Sequence, residues 1–213
     1  MDIAGKKIVF LGDSITEGVG VTDQENRYDR RIAREYGVIT VNCGISGTRL
    51  AHQHKASDCP RFDLCFCGRT YDLDKDADII VVFGGTNDYG HGDADFGLYG
   101  DKTPATFCGA AHFLMNNLCA LYPNAKIVIM TPCHRENDAK PTAPGKKVLV
   151  DYVDELVKEA KDHNVTLIDL YRTLPIDPND PVQKTEYAND GLHLNDKGHG
   201  LLAEVLMKTL KTL

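Results

Sequence analysis

The stretch "KIVFLGDSITEG", residues 7–18, changes character within a few positions. It begins as a continuous apolar run that ends at Gly12, and Asp13, Ser14 and Thr16 follow almost at once. Continuous apolar runs, rather than alternating ones, are typical of strands that are covered on both faces, as in a parallel sheet with helices on each side. The stretch therefore predicts a buried strand that leaves the core through small polar residues.

Four further segments carry the same kind of apolar run. They are "VITVNCG" at 38–44, "DIIVVFGG" at 78–85, "AKIVIMTP" at 125–132 and "VTLIDL" at 165–170. Helical patterns lie between and after them, at 24–36, 104–122, 144–163 and 195–210, and Asn195 or Asp196 can cap the last of these helices. Strands that alternate with helices predict a three-layer α/β/α protein with a five-stranded parallel sheet at its centre.

Two stretches, 48–77 and 88–103, show neither a strand pattern nor a helix pattern. Long segments of this kind inside a compact domain are usually functional or flexible. We therefore interpret both stretches as candidate walls of a binding cleft.

Length and charge narrow the class of protein. A chain of 213 residues without a Gly/Ser-rich linker fits one domain spanning residues 1–213. The net charge is −7 and no Lys/Arg block stands out, so we expect neither a nucleic-acid partner nor an anionic membrane. The apolar run near the N-terminus is too short for a signal peptide, which makes a cytoplasmic location the expectation. The sequence shows no apolar stripe that would indicate an obligate dimer, and it does not predict the oligomeric state.

The seven cysteines are an odd number, and without an export signal we expect reduced thiols rather than disulfides. Four of them look like small core residues: Cys43, Cys108, Cys119 and Cys133. The group Cys59, Cys65 and Cys67 could bind a metal, but its spacing lacks the two-residue gaps and the second ligand pair of common zinc sites. We therefore predict free thiols in a loop there, and no metal.

In a doubly wound parallel sheet, ligands bind at the carboxyl ends of the strands where the winding direction reverses. If the strand order is 2-1-3-4-5, this point lies between the ends of the first and third strands, where the sequences "GDS" and "GGTND" stand. Taken alone, "GDSIT" would be read as a turn and a helix cap. The convergence of two polar, glycine-rich strand ends makes Ser14 a candidate nucleophile.

The stretch "NDGLHLND", residues 189–196, supplies the partners that a serine nucleophile needs. Asp190 and His193 are three residues apart just before the final helix, so one turn of chain can bring the carboxylate to the imidazole. A serine hydroxyl attacks only when a base takes its proton, and a carboxylate holds that base in the right tautomer. We expect the other seven histidines, His91, His112 and His163 among them, to be satisfied or to face solvent.

Acyl transfer also needs hydrogen-bond donors for the oxyanion of the tetrahedral intermediate. We predict the Ser14 backbone N–H, the Gly47 backbone N–H and the Asn87 side-chain amide. Glycine lets the backbone approach a substrate closely, and asparagine donates without adding a charge. Asp13 is assigned hydrogen bonds that fix the turn, and Asp13, Arg49 and Tyr89 are named as candidate substrate contacts.

The four blocks "GDSIT", "NCGISG", "GGTND" and "DGLH" resemble the SGNH (GDSL) hydrolases, in the order expected for that family and over almost the whole chain. The resemblance implies a flavodoxin-like fold and ester hydrolysis without a metal or cofactor. It also implies Ser14 as nucleophile, His193 as base, Asp190 as the partner of the base, and Ser14, Gly47 and Asn87 as oxyanion donors.

Aromatic and polar residues in the two long stretches favour a small ester substrate with a short acyl chain, such as an acetylated carbohydrate or another small polar alcohol. Lysophospholipase and thioesterase activities on longer chains stay open alternatives. A non-catalytic carbohydrate-binding protein would be expected to have lost Ser14, Asp190 or His193, and all three are present. A flavin carrier would need a Ser/Thr-rich phosphate loop after the first strand, which the sequence lacks.

Overall fold

The computed structural model describes residues 3–213, and its centre is a single sheet of five parallel strands in the order β2-β1-β3-β4-β5. The strands are β1 (Lys7–Gly12), β2 (Ile39–Gly44), β3 (Ile79–Phe83), β4 (Lys126–Met130) and β5 (Thr166–Ile168). All five lie within the predicted apolar runs, and the sheet confirms the predicted three-layer class. β1 therefore lies between β2 and β3, with Gly12 opposite Gly44 on one side and opposite Phe83 on the other.

Helices cover both faces of the sheet. They are α1 (Ser14–Glu17), α2 (Tyr28–Tyr36), α3 (Phe66–Arg69), α4 (Thr86–Gly90), α5 (Phe107–Leu121), α6 (Leu149–Asp162), α7 (Leu170–Thr173), α8 (Pro181–Tyr187) and α9 (Asp196–Leu210). One buried cluster joins the sheet to Phe66, Leu114 and Tyr152, which belong to α3, α5 and α6. The other joins it to Ile32 and Leu202, which belong to α2 and α9. The protein therefore has three layers, with a layer of helices on each face of the sheet.

The predicted helices exist, but their ends differ from the prediction where the backbone breaks the pattern. The predicted helix at 24–36 is divided at Arg27, whose backbone is extended. The predicted helix at 144–163 begins only at Leu149, since Gly145 adopts a left-handed backbone conformation with φ +80°. The final helix matches best, because the side chain of Asn195 accepts hydrogen bonds from the backbone N–H groups of Lys197 and Gly198. The short helices α7 and α8 were not predicted.

The stretches 48–77 and 88–103 contain only short helical turns and are held by aspartates. The buried carboxylate of Asp88 accepts the backbone N–H groups of Leu50 and Ala51 at 2.9 and 3.0 Å. Asp93 accepts the N–H groups of His54 and Lys55 in the same way, at 2.8 and 2.9 Å. These bonds join the two long stretches into one wall.

Arg69 ties this wall to the carboxyl ends of β1 and β2. Its guanidinium donates to the carbonyl oxygens of Cys43 (2.7 Å) and Gly12 (3.1 Å) and to the Thr48 hydroxyl (2.9 Å). It also lies over the ring of Phe66, 4.6 Å from the centroid. Burial lowers the pKa of Arg69 to about 10, so the group stays charged at neutral pH. Arg69 thus gives the Cys43 and Gly12 carbonyl groups a charged donor at the carboxyl ends of β1 and β2, where the Gly12 carbonyl also accepts the N–H of Ile45 at 3.1 Å.

All seven cysteines are free thiols. Cys65 and Cys67 are buried core residues around α3 rather than loop thiols, and the Cys67 thiol donates to the Ala110 carbonyl at 3.4 Å. Burial raises the pKa of both, which favours the unreactive thiol form. None of the helices found between residues 3 and 213 has the length and apolar character that a bilayer crossing requires.

Replacing Arg69 by Met should lower the free energy of unfolding by about 3 kcal/mol, because two buried carbonyl groups lose their charged donor. Urea denaturation followed by circular dichroism measures this change. The control is Arg61→Met, which removes an ion pair to Glu17 from a side chain that is 49% exposed and should lower the free energy of unfolding much less than Arg69→Met does. Equal effects of the two substitutions would contradict the role given to Arg69.

Candidate active site

Ser14 stands where β1 ends and α1 begins. The carboxyl group of Asp13 caps this helix, since one of its oxygens accepts the backbone N–H of Ile15 at 3.0 Å. A Cβ at Gly12 would lie 2.0 Å from the hydroxyl oxygen of Thr16, so only glycine fits where the strand turns back against the helix. Ser14 is mostly buried, with 6% of its surface exposed. As the first residue of a helix it has a backbone N–H without an intrahelical partner.

The structure brings His193 and Asp190 into line with Ser14, although 179 positions separate Ser14 from His193. The Nε2 atom of His193 lies 2.9 Å from the Ser14 hydroxyl oxygen. On the other side of the ring, Nδ1 lies 2.6 Å from the Asp190 carboxylate. The three side chains therefore form one continuous hydrogen-bonded row.

The turn that holds this pair is built by Asp190 itself. Its second carboxylate oxygen accepts the backbone N–H groups of Leu192 (2.9 Å) and His193 (2.7 Å). Gly191 adopts a left-handed conformation with φ +80°, and a Cβ there would lie 2.7 Å from the side chain of Glu136. Partial burial acts to raise the pKa of Asp190, but the hydrogen bonds from His193 and from these N–H groups outweigh it and lower the pKa. The carboxylate is therefore charged at neutral pH.

Gly47 and Asn87 lie beside Ser14 at the same edge of the sheet. The Ser46 N–H donates to the Glu17 carboxylate at 2.6 Å, which fixes the segment containing Gly47 against α1. Gly47 has φ +75°, and a Cβ there would be 2.8 Å from the ring of Phe62. Asn87 uses one amide N–H to donate to the Thr48 carbonyl at 3.0 Å. An amide has two N–H bonds, so one remains for a ligand.

His91 fixes the orientation of the Asn87 amide. The Nε2 atom of His91 lies 3.1 Å from the Asn87 side-chain oxygen, and its Nδ1 atom lies 3.3 Å from the Arg49 guanidinium. Arginine can only donate, so Nδ1 accepts and the hydrogen of the neutral ring is on Nε2, from which it donates to Asn87. Burial, together with Arg49 and Arg135, lowers the pKa of His91 and keeps the ring neutral at pH 7.

Arg49 is held in turn by Asp63 at 3.2 Å and by the Gly47 carbonyl at 3.2 Å. A row of contacts thus runs from Asp63 through Arg49 and His91 to Asn87. The sequence alone predicts only a satisfied or solvent-facing histidine at position 91. The one signal that could have shown its role is its spacing, since residues four apart on a helix are neighbours: Asn87 belongs to α4, and His91 is the C-cap whose N–H donates to the Asn87 carbonyl.

These side chains surround a cleft of about 620 Å³. Its lining consists of Ser14, Val19, Ser46, Gly47, Arg49, Gln53, Lys55, Ala56, Ser57, Phe62, Asn87, His91, Asp93, Leu192 and His193. Residues of both long stretches, 48–77 and 88–103, line the cleft. This agrees with their interpretation as cleft walls.

Of the three candidate substrate contacts, only Arg49 lines the cleft. Asp13 is buried under the turn, where it caps α1. Tyr89 is buried as well, and its hydroxyl lies 3.0 and 2.7 Å from the carbonyl oxygens of Asn137 and Lys140. Both side chains are used for internal hydrogen bonds, so the structure does not bring either of them to the cleft.

An α/β sheet that carries a serine, a histidine and an aspartate in one hydrogen-bonded row has the arrangement found in serine hydrolases. The chain belongs to the GDSL-like lipase/acylhydrolase family, whose model matches residues 10–201, and it is therefore a carboxylic ester hydrolase. This confirms the resemblance seen in the four sequence blocks.

Two solved structures illustrate the likeness. A protein from Lactobacillus plantarum is 30% identical, with a TM-score of 0.85 over 99% of this chain and 98% of that chain. An acetyl-xylooligosaccharide esterase variant from Geobacillus is 21% identical, with a TM-score of 0.65 over 98% of this chain and 95% of that chain, a likeness of fold. Among curated proteins, none matches the chain.

Asp13 should make stability fall as the pH rises. Burial raises the pKa of this carboxyl from 3.8 to about 7, so the folded protein takes up a proton that the unfolded chain releases. The stabilisation that this proton provides is complete below pH 4 and is lost as the pH rises through about 7. Asp13→Asn keeps the oxygen that caps α1 but does not titrate.

From pH 4 to pH 8, the free energy of unfolding of Asp13→Asn should therefore rise by about 4 kcal/mol relative to the wild type. Urea denaturation at several pH values measures this difference. A difference that stays constant with pH would contradict the buried, protonated carboxyl.

Proposed function

We propose that the protein hydrolyses short-chain acyl esters of small polar alcohols or carbohydrates through an acyl-enzyme intermediate, with Ser14, His193 and Asp190 as catalytic triad. The observation that carries the proposal is the row from the Ser14 hydroxyl (2.9 Å) through the His193 ring to the Asp190 carboxylate (2.6 Å), at a cleft of about 620 Å³. Both distances are those of hydrogen bonds, so a proton can pass from the hydroxyl to the ring.

In the first half of the reaction the Ser14 oxygen attacks the ester carbonyl while Nε2 of His193 takes its proton. The Asp190 carboxylate holds the proton on Nδ1 and stabilises the imidazolium that forms. His193 then gives the proton to the leaving alkoxide, and the alcohol departs. In the second half a water molecule follows the same route, and the acid is released from Ser14.

The negative charge of the tetrahedral intermediate would rest on three donors: the Ser14 N–H, the Gly47 N–H and the free N–H of the Asn87 amide. Such donors act strongly because they are already oriented before the charge develops. In this proposal His91 is a positioning residue. It holds the Asn87 oxygen, which keeps the amide nitrogen turned toward the Thr48 carbonyl and the cleft.

The small volume of the cleft supports a small substrate, and its lining contains both polar and apolar side chains. Arg49, Gln53, Lys55, Ser57 and Asp93 are among its residues, and Phe62 is its aromatic side chain. The aromatic residues expected from the stretch 88–103 are used elsewhere, since the Phe96 ring packs against Phe107 and Tyr152. A lipase for long acyl chains would need a larger apolar surface.

The likeness in fold to an acetyl-xylooligosaccharide esterase agrees with a short acyl group on a carbohydrate. Lysophospholipase and thioesterase activities are the alternatives that the substrate test must separate from it. A cytoplasmic location and a single domain over residues 1–213 stay predictions.

Ser14→Ala should lower kcat for p-nitrophenyl acetate by about a thousandfold or more, because the nucleophile is lost. The free energy of unfolding should change by less than about 1 kcal/mol, since one hydrogen bond to His193 is removed. Spectrophotometric assays and urea denaturation measure the two quantities. Hydrolysis that survives in Ser14→Ala would remove Ser14 from the mechanism.

The same assay on acetyl, butyryl and octanoyl esters tests the substrate class, with Ser14→Ala as the blank for every ester. We expect kcat/KM to be highest for acetyl or butyryl and to fall for octanoyl. A maximum at the octanoyl ester would favour the long-chain alternatives.

His91→Ala should reduce kcat by about 10- to 100-fold with little change in KM, because the Asn87 amide loses the contact that orients it. His91→Gln is the matched control, since glutamine can donate to Asn87 and accept from Arg49 as the neutral ring does. It should retain most of the activity, and the pH dependence above pH 6 should not change.

The double variant Asn87→Ala/His91→Ala decides whether His91 acts through Asn87. We expect its kcat to equal that of Asn87→Ala alone, because the group that His91 positions is then absent. If the losses of kcat in the two single variants multiply in the double variant, His91 does not act through Asn87. Equal losses of kcat in His91→Ala and His91→Gln would also show that His91 affects the structure in another way.

A further inference from the structure

A second cluster of polar side chains lies away from Ser14, between two helices on the outside of the sheet. His112 belongs to α5, Glu159 belongs to α6, and His163 is the C-cap of α6. His163 stands three residues before the first residue of β5, so it lies near the amino ends of the strands. Ser14 follows the carboxyl end of β1. The two sites are therefore at opposite ends of the strands.

The three side chains are spaced like the ligands of a small metal ion. One ligand atom from each lies within 4.8 Å of the others. Nδ1 of His112 is 3.1 Å from a Glu159 carboxylate oxygen, and Nδ1 of His163 is 3.4 Å from the same oxygen. Tetrahedral zinc bonds of about 2.0–2.2 Å place neighbouring ligand atoms about 3.4 Å apart. Two of the three distances between ligand atoms are already close to this value.

Burial and charge favour a cation at this place. The Glu159 side chain is only 2% exposed. One helical turn earlier the Glu155 side chain is 3% exposed, and its Oε1 atom has no hydrogen-bond partner among residues 3–213. The Lys158 ammonium is 3.6 Å from the other Glu155 oxygen but is largely in solvent. Two neighbouring buried carboxylates thus face little fixed positive charge, which is costly unless a cation joins them.

The donor types indicate which ion fits. Imidazole nitrogen with a carboxylate oxygen suits zinc, whereas magnesium and calcium prefer oxygen ligands alone. His112 and His163 are 26% and 13% exposed, so water can reach the cluster and occupy a fourth position. Nδ1 of His163 also lies 2.9 Å from the Glu159 backbone carbonyl, and coordination through this atom would replace that hydrogen bond.

We propose that His112, Glu159 and His163 form a zinc site, with water as the fourth ligand, that links α5 to α6. The bound ion would stabilise the folded protein, because these three ligands come together only after folding. It would take no part in ester hydrolysis, since the site lies at the other end of the strands.

The test uses the full-length protein after treatment with a chelator and dialysis. Isothermal titration with ZnCl₂ should show one equivalent bound per chain, and titration with CoCl₂ should give the intense visible absorption of tetrahedral cobalt. Thermal denaturation with an excess of ZnCl₂ should show a higher Tm than without it. Failure of the wild-type protein to bind either ion would overturn the proposal.

The variant that decides the location is His112→Gln/His163→Gln. Glutamine keeps amide donors for the Glu159 carboxylate, so the fold should survive, but it is a poor zinc ligand. We expect zinc affinity to fall by about 100-fold or more and the zinc-dependent rise in Tm to disappear. The control is His52→Gln/His54→Gln, which removes two exposed histidines elsewhere and should bind zinc like the wild type.

Equal zinc binding by the wild type and by His112→Gln/His163→Gln would assign the ion to other groups, such as the thiols, and would overturn the site. Circular dichroism of each variant before titration checks that it is folded. Ester hydrolysis should be the same in the wild type and in His112→Gln/His163→Gln, so the zinc result is independent of the proposed function.

Discussion

The position of β1 between β2 and β3 constrains everything else at the site. All three strands are parallel, and Gly12 is paired with Gly44 on one side and with Phe83 on the other. Where β1 leaves the sheet, its neighbours leave it too. The segments that carry Ser14, Gly47 and Asn87 therefore emerge side by side, and this adjacency follows from the backbone before any side chain is considered.

The polar groups around this edge hold it together at a cost in stability. Arg69 covers carbonyl groups at the ends of β1 and β2, and aspartates accept the N–H groups of the surrounding segments. Two of these aspartates are fully buried, and burial raises the pKa of Asp13 to about 7 and that of Asp88 to about 6. The charged form of a carboxyl group is more stable in water than in the interior, so burying Asp13 and Asp88 costs folding free energy. Such a loss of stability in exchange for a fixed arrangement of groups is common at functional sites.

The sequence predicted what depends on local pattern. Buried apolar runs indicated all five strands, and the three-residue spacing of Asp190 and His193 indicated a pair before the last helix. The contact of His91 with Asn87 was missed, because α4 is a helix of five residues with no apolar periodicity, and His91 only caps its end. Tyr89 was expected at the cleft as part of a long loop, but it belongs to α4 and its side chain faces the interior. The cluster of His112, Glu159 and His163 joins two helices whose packing no short motif encodes.

The central claim is that Ser14, His193 and Asp190 act as one unit, and the most direct test is covalent labelling with an active-serine phosphonate followed by peptide mass spectrometry. The account predicts one phosphonate per chain, located on Ser14, with labelling greatly slowed in His193→Ala. A label on another residue, or an unchanged rate of labelling in His193→Ala, would contradict it.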